Sequence, residues 1–135
     1  MKTSKIVYEG SLRTRAIHIR SGVEIITDAP PDNNGKGEAF SPTDLMSTSL
    51  GSCMLTIMGI LAERNHADIS GATAEVLKVM GTEPRRVIEI VLEISMPARN
   101  YSEKMKEMLE NAARTCPVAH SLSGELKQTV RFIWK

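Results

Sequence analysis

Residues 40 to 64, FSPTDLMSTSLGSCMLTIMGILAER, decide the fold. Ser41 stands as an N-cap, Pro42 takes the first helical position, and Asp44 falls three residues after the cap. In that pattern hydroxyl and carboxylate each accept a hydrogen bond from the other residue's backbone N–H, and Pro loses nothing at a position with no N–H partner. No charged residue follows until Glu63, and Leu, Met, Ile, Ser, Thr, Gly and Cys occupy every face. Such a helix is predicted to be buried rather than laid on a surface. It has the length of about 20 residues that a bilayer crossing needs, but Ser47, Thr48, Ser49, Ser52 and Thr56 dilute its hydrophobicity. A core helix is expected, not a membrane span. Cys53 lies near its middle.

The 135 residues read as a single domain, 1–135, large enough to bury a core. Hydrophobic residues make up 41% and charged residues 24%. The formal net charge of +1, from 17 basic and 16 acidic residues, gives no reason to expect nucleic acid or a membrane surface as partner. The start, MKTSKIVYEGS, has no apolar signal-peptide core. With two cysteines and no CxxC, a cytoplasmic protein with free or redox-active thiols is expected. The three histidines lie far apart in sequence, so no metal site is predicted. Gly35-Lys36-Gly37 lacks the phosphate-loop pattern, and no cofactor is predicted.

Upstream of the helix, Lys5–Glu9, Arg13–Arg20 and Val23–Thr27 read as three strands, turned at Gly10-Ser11 and at Ser21-Gly22. An antiparallel meander with one solvated face is expected. Residues 28 to 40, DAPPDNNGKGEAF, show no regular pattern: Pro30-Pro31 stops a strand and Asn and Gly supply turns. A connection of this length is either functional or a surface linker. Downstream, basic residues and Asn65 suit the helix exit. Ile69–Met80 and Arg86–Ser95 alternate as strands around a turn at 81–84. Ser102 caps an amphipathic helix, SEKMKEMLENAART, with Met105, Met108, Leu109 and Ala112 on its apolar stripe. Pro117 opens a short helix with Cys116 as its cap, and Glu125–Trp134 is a last strand. The fold class is α+β.

Several side chains offer chemistry. A cysteine in an apolar helix is by default inert, and Cys53 is too far from the helix start to gain from its dipole. To act as a thiolate it needs a cation from another element. Arg13 and Arg15 share one strand face and Arg20 takes the other; each reads equally as a solvating surface charge. Cys116, at a helix start with His120 one turn on, looks the more reactive thiol from local sequence. His18 on its strand and His66 past the helix end are weak ligands at most. Spacing alone leaves open whether the two sulfurs meet.

The run FSPTDLMSTSLGSCMLTIM, a second helix and the late CPVAH resemble the OsmC/Ohr family of thiol-dependent hydroperoxide reductases, over nearly the whole chain. The resemblance implies an OsmC-like fold, with antiparallel sheets wrapped around a long buried central helix in an intertwined homodimer whose active sites lie at the subunit interface. It implies that Cys53 reduces an organic hydroperoxide to its alcohol, becoming a sulfenic acid that Cys116 resolves as a disulfide. An external dithiol, lipoyl-type in the Ohr branch, restores both thiols. That order reverses the local ranking of the cysteines. Arg13 is the first choice for the family's arginine and Arg15 the second. A glutamate that orients this arginine in well-studied branches corresponds to Thr43, which carries no charge. Asp44, the neighbouring carboxylate, points about 100° further round the helix. Two alternatives follow from that departure: a dimer that binds a small apolar ligand without chemistry, or a structural dimer with inert cysteines. Met46, Met54, Met58, Met105 and Met108 are candidates to line an apolar pocket or to pack the core.

Overall fold

Strands β1 (Ser4–Gly10), β2 (Arg13–His18) and β3 (Glu24–Asp28) form the expected antiparallel meander. They belong to the first of two units, Met1–Met46 and Ser47–Lys135, in the computed structural model, which describes residues 1–135. The β1–β2 turn is made by Ser11 and Leu12, both at positive φ (54° and 62°), after a bulge at the end of β1. Leucine is disfavoured there because its Cβ crowds the backbone. Two bonds hold it: its N–H donates to the Tyr8 hydroxyl (3.2 Å), and its carbonyl accepts from the Ala29 N–H (3.1 Å). The β2–β3 register pairs Arg13 with Asp28, Arg15 with Ile26 and Ile17 with Glu24, which places these side chains on one face. The opposite face carries Ile6, Tyr8 and Ile25, which are 65%, 63% and 48% exposed.

After β3 the chain folds back on itself. A single 3-10 turn at Pro31–Asn33 leads to Gly35, where a Cβ would lie 1.7 Å from the Ala29 carbonyl oxygen, so only glycine fits. The Gly37 N–H donates to the Ala29 carbonyl (3.2 Å) and the Asp28 N–H to that of Phe40 (3.1 Å). Residues 28 to 40 are therefore tied down, not loose. Helix α1 (Pro42–Arg64) then starts as its sequence predicts. The Asp44 N–H donates to Ser41 Oγ and the Ser41 N–H donates to Asp44 Oδ2, both at 3.0 Å.

In the second unit, β4 (Thr73–Gly81) and β5 (Arg86–Ser95) pair antiparallel. Helices α2 (Glu103–Arg114) and α3 (Pro117–Ser121) form the crossover to β6 (Lys127–Ile133), which lies parallel to β5. The expected purely antiparallel pattern thus holds in the first sheet, while the second is mixed. The simple alternation read over β5 also breaks once. A bulge between Val79↔Glu89 and Met80↔Val87 skips Ile88, turning Val87 into the core. Gly81 leaves the room this needs, since a Cβ there would meet Ile88 Cγ2 at 2.5 Å.

Helix α1 buries one stripe, Ser47, Leu50, Gly51, Met54, Met58 and Ala62, while Ser52, Thr56 and Ile60 remain exposed. Burial on every side, as its composition predicted, is not reached within one chain, because a sheet covers only one face of a helix. The contact is close: a Cβ on Gly51 would stand 3.1 Å from Leu92 Cδ2 and 3.2 Å from Val76 Cγ2. At its end, His66 rather than Asn65 takes the left-handed conformation (φ 57°). Asn65 instead donates from Nδ2 to the Leu61 carbonyl, a bond that holds it to the last turn.

Ser102 caps α2 by accepting from the Met105 N–H (3.0 Å). Its body is fastened to the end of β6. Trp134 donates to Glu110 Oε2 (2.8 Å), Tyr101 meets the Trp134 ring edge-on, and Arg114 lies over Phe132. Met54 and Met58 join Ile90, Leu92, Ile94, Met96 and Leu109 in the core, so those two methionines pack rather than line a pocket. A leucine at position 51 has no space beneath it. We expect Gly51→Leu to cost about 1–3 kcal/mol of unfolding free energy, read as a lower urea midpoint with unchanged slope. A stability equal to that of the wild type would show that the helix can ride up off the sheet.

Candidate active site

Cys116 is placed by the start of α3. Its backbone is extended (φ −69°, ψ 151°), Pro117 follows at the first helical position, and its sulfur accepts the Ala119 N–H at 3.4 Å. This is the cap that the sequence predicts. The helix is pinned to the sheet by Gln128, a half-buried β6 side chain whose Nε2 donates to the Ala119 carbonyl at 3.0 Å. Cys116 itself is fully buried. Burial pushes its thiol above the ordinary range, the Ala119 N–H pulls it part of the way back, and the neighbouring Cys53 raises it again. The capped thiol is therefore held toward its protonated form.

Cys53 lies off the buried stripe of α1 and is half-exposed; both cysteines are free thiols. The structure thus brings together the two sulfurs that spacing left unconnected. One is partly open to solvent and one is closed off, an arrangement in which an oxidised sulfur at position 53 can be attacked by its neighbour.

The arginines differ sharply. Arg13 donates from Nε to Asp28 Oδ1 and from Nη2 to Asp28 Oδ2, both at 2.7 Å, and reaches Glu38 Oε1 at 3.2 Å. The Asp28 side chain is 1% exposed and that of Arg13 29%. This short bidentate pair is the strong form of a guanidinium–carboxylate contact. It holds the Asp28 carboxyl below its usual range and raises the Arg13 guanidinium further still. Arg15 bonds to Glu9 (2.9 Å) and Glu24 (3.2 Å) among exposed side chains, which makes it a surface charge by its partners. Asp44 is engaged in the cap of α1. Among the histidines, His18 bonds Ser21 Oγ (2.6 Å) on the exposed β2–β3 turn, and His66 and His120 are exposed.

Two residues escaped the sequence reading. Asp28 reads as the first residue of an irregular segment, although extending the hairpin register outward from Ile17↔Glu24 puts it opposite Arg13. Gln128 falls in the last strand, where the sequence leaves open which set of residues points inward, and only the crossover shows what lies above it.

A protein-family profile described as OsmC-like protein matches residues 35–131. Among solved structures, a candidate osmotic stress induced and detoxification response protein from Psychrobacter arcticus 273-4 is 55% identical. It covers 98% of this chain and 96% of its own, with a TM-score of 0.94. An OsmC-like protein from Mycoplasma pneumoniae (23% identity, 99% and 97% coverage, TM-score 0.80) shares the fold. So does an organic hydroperoxide resistance protein from Legionella pneumophila (15% identity, 98% coverage of both chains, TM-score 0.72). No curated protein matches the chain. The profile match over most of the chain, and the identity to the Psychrobacter protein across nearly its full length, establish that this chain belongs to the OsmC-like protein family.

Proposed function

We propose that this protein reduces organic hydroperoxides to alcohols with its two cysteines, at the expense of an external dithiol. The observation that carries the reading is the approach of Cys53 to Cys116, one sulfur half-open and the other buried and protonated. Membership of a redox-associated family supports it. In the first step the Cys53 thiolate attacks the distal oxygen of the hydroperoxide. The O–O bond breaks, Cys53 becomes a sulfenic acid, and the alkoxide takes a proton and leaves as the alcohol. In the second, the Cys116 sulfur attacks the sulfenic sulfur, its proton leaves with the hydroxyl as water, and a disulfide forms. A dithiol of the lipoyl type, whose two thiols close into a ring, then returns two electrons and is itself left as a disulfide.

Arg13 is the guanidinium we assign to the Cys53 thiolate and to the charge that develops on the peroxide oxygens. Arg15 is the weaker assignment, because its side chain is more exposed than that of Arg13, 41% against 29%. Asp44 caps the helix start. We further propose that the protein works as a homodimer in the cytoplasm, where thiols stay reduced. The exposed apolar residues Ile6, Tyr8 and Ile25 on one face of the first sheet, and Ile60 on the open face of α1, are what a second copy would cover.

Anaerobic mixing of reduced protein with one equivalent of cumene hydroperoxide is expected to consume both thiols of each chain, as counted with a thiol reagent. Cys53→Ser should abolish the reaction, and Cys116→Ser should stop it at the sulfenic acid. Thiol content that stays unchanged in excess peroxide would sink the proposal in favour of a ligand-binding or structural dimer. The burial of Cys116 gives a second expectation. In the Cys53→Ser chain its alkylation by iodoacetamide should rise only above the ordinary thiol pKa of about 8.5. Half-maximal alkylation below that value would show that the helix start outweighs burial.

A further inference from the structure

Gln128 is an amide on an apolar face. The parallel register sets it beside Ile90, Val130 beside Leu92 and Phe132 beside Ile94, and all three β5 residues are fully buried. A polar group on such a surface is unfavourable unless it is bonded, and a leucine or methionine would pack there without that cost. The Gln128 Nε2 is committed to the Ala119 carbonyl at 3.0 Å, and Ala119 is the residue whose N–H reaches the Cys116 sulfur at 3.4 Å. Helix α3 has five residues, too few to hold its shape alone, and its last four carbonyls have no partner further along it. The amide takes one of these. From the other side, the Thr115 N–H donates to the Ala112 carbonyl at the end of α2 (3.1 Å). Cys116 is thus held between two anchors, α2 ahead of it and, through Gln128, β6 behind it.

From this arrangement we infer that Gln128 is a positioning residue for the second step alone, the attack of Cys116 on the oxidised Cys53. The inference rests on the reductase reading above, and every residue in it belongs to the second unit. In that step the Cys116 sulfur gives up its proton and bonds to the sulfenic sulfur, and the hydroxyl leaves with a proton as water. A sulfur whose Ala119 N–H has turned away gives up its proton less readily, because that N–H favours the anion. Slow resolution leaves the Cys53 sulfenic acid open to a second hydroperoxide. That peroxide passes one oxygen to the sulfur, leaves as its alcohol, and turns Cys53 into a sulfinic acid that no thiol reduces. Gln128 thereby governs how often the cycle closes rather than stalls.

The test compares wild type, Gln128→Met, Gln128→Glu and Ser121→Ala with cumene hydroperoxide. Gln128→Met keeps the length and loses the donor, and Gln128→Glu turns an acceptor toward the carbonyl. Ser121→Ala removes a bond of the same helix, from Ser121 Oγ to the Pro117 carbonyl (2.8 Å), that does not involve Ala119. Cys53 oxidation is timed in a Cys116→Ser background, disulfide formation in the two-cysteine chain, and sulfinic acid is read by mass spectrometry. Fluorescence of Trp134, the single tryptophan, reports the fold. Both Gln128 variants should form the disulfide about 2- to 10-fold more slowly, the effect of one hydrogen bond. Their first step should keep its rate, and sulfinic acid should appear at lower peroxide. Ser121→Ala should match wild type. With Cys53→Ser added, Gln128→Met should move the alkylation profile of Cys116 to higher pH. If Gln128→Met does not fold, Gln128→Glu decides the matter through its rates. Wild-type disulfide formation in the Gln128 variants, an unmoved Cys116 profile, a first step slowed to the same degree, or an equally slow Ser121→Ala overturns the positioning role and leaves the reductase reading intact. A wild-type chain whose thiols survive excess peroxide removes the proposed function, and the step assigned to Gln128 with it.

Discussion

A helix comes close to a sheet only where the facing residue is small, and Gly51 is that residue in α1. With no Cβ, it lets the helix settle on Leu92 and Val76, and everything in the second unit is referred to that seat. Cys53, two residues on, is turned away from the buried stripe yet held at a fixed height above the sheet. The same sheet holds the other sulfur. β6 lies parallel to β5, its Gln128 stands opposite Ile90, and the amide reaches up to the Ala119 carbonyl to pin α3. The placement of two thiols far apart in sequence thus rests on one sheet, β4, β5 and β6. Neither cysteine needs to be positioned by the other, so the arrangement exists before any disulfide forms.

The first unit solves a different problem. It carries a partly buried ion pair on a three-stranded sheet that has little core of its own. An unpaired carboxylate buried as deeply as Asp28 would be costly, and so would a guanidinium held still without a partner. Together they satisfy each other, and the Glu38 N–H takes up part of the remaining acceptor capacity. The irregular segment is thereby given a physical reason. Its prolines stop β3 from continuing, its glycines allow the tight return, and the return delivers an N–H and a carboxylate to the same ion pair.

Elements governed by local rules were legible in the sequence. The Ser41–Asp44 box, the Ser102 cap, the Cys116 cap and the three-stranded meander depend on neighbours within a few residues, and all are present. What depended on distant partners was not. The bulge at Ile88 needs Gly81 across the hairpin, and the partner of Arg13 needs the register of β3. The helix α1 is a mixed case. Its composition announces burial on all sides, but only one stripe is buried, and Ser52, Thr56 and Ile60 stay exposed. Family resemblance joined the two cysteines where spacing did not, while drawing attention to Thr43 as the place to look for an acid. The carboxylate that grips Arg13 comes instead from the strand beside it.

The ranking of the two thiols turns on the same contrast between local and distant effects. A cysteine at a helix start, capping free N–H groups, looks from its own segment like the better thiolate. That help is real: the Ala119 N–H does favour the anion at Cys116. A fully buried sulfur, however, loses more from leaving water than one or two N–H groups return, and a second sulfur nearby adds to the loss. The cap therefore fixes where the Cys116 sulfur points without keeping it ionised. A thiol held in place, protonated and shielded suits a group that must wait for its neighbour to be oxidised. A half-open sulfur nearby suits the group that meets the oxidant first.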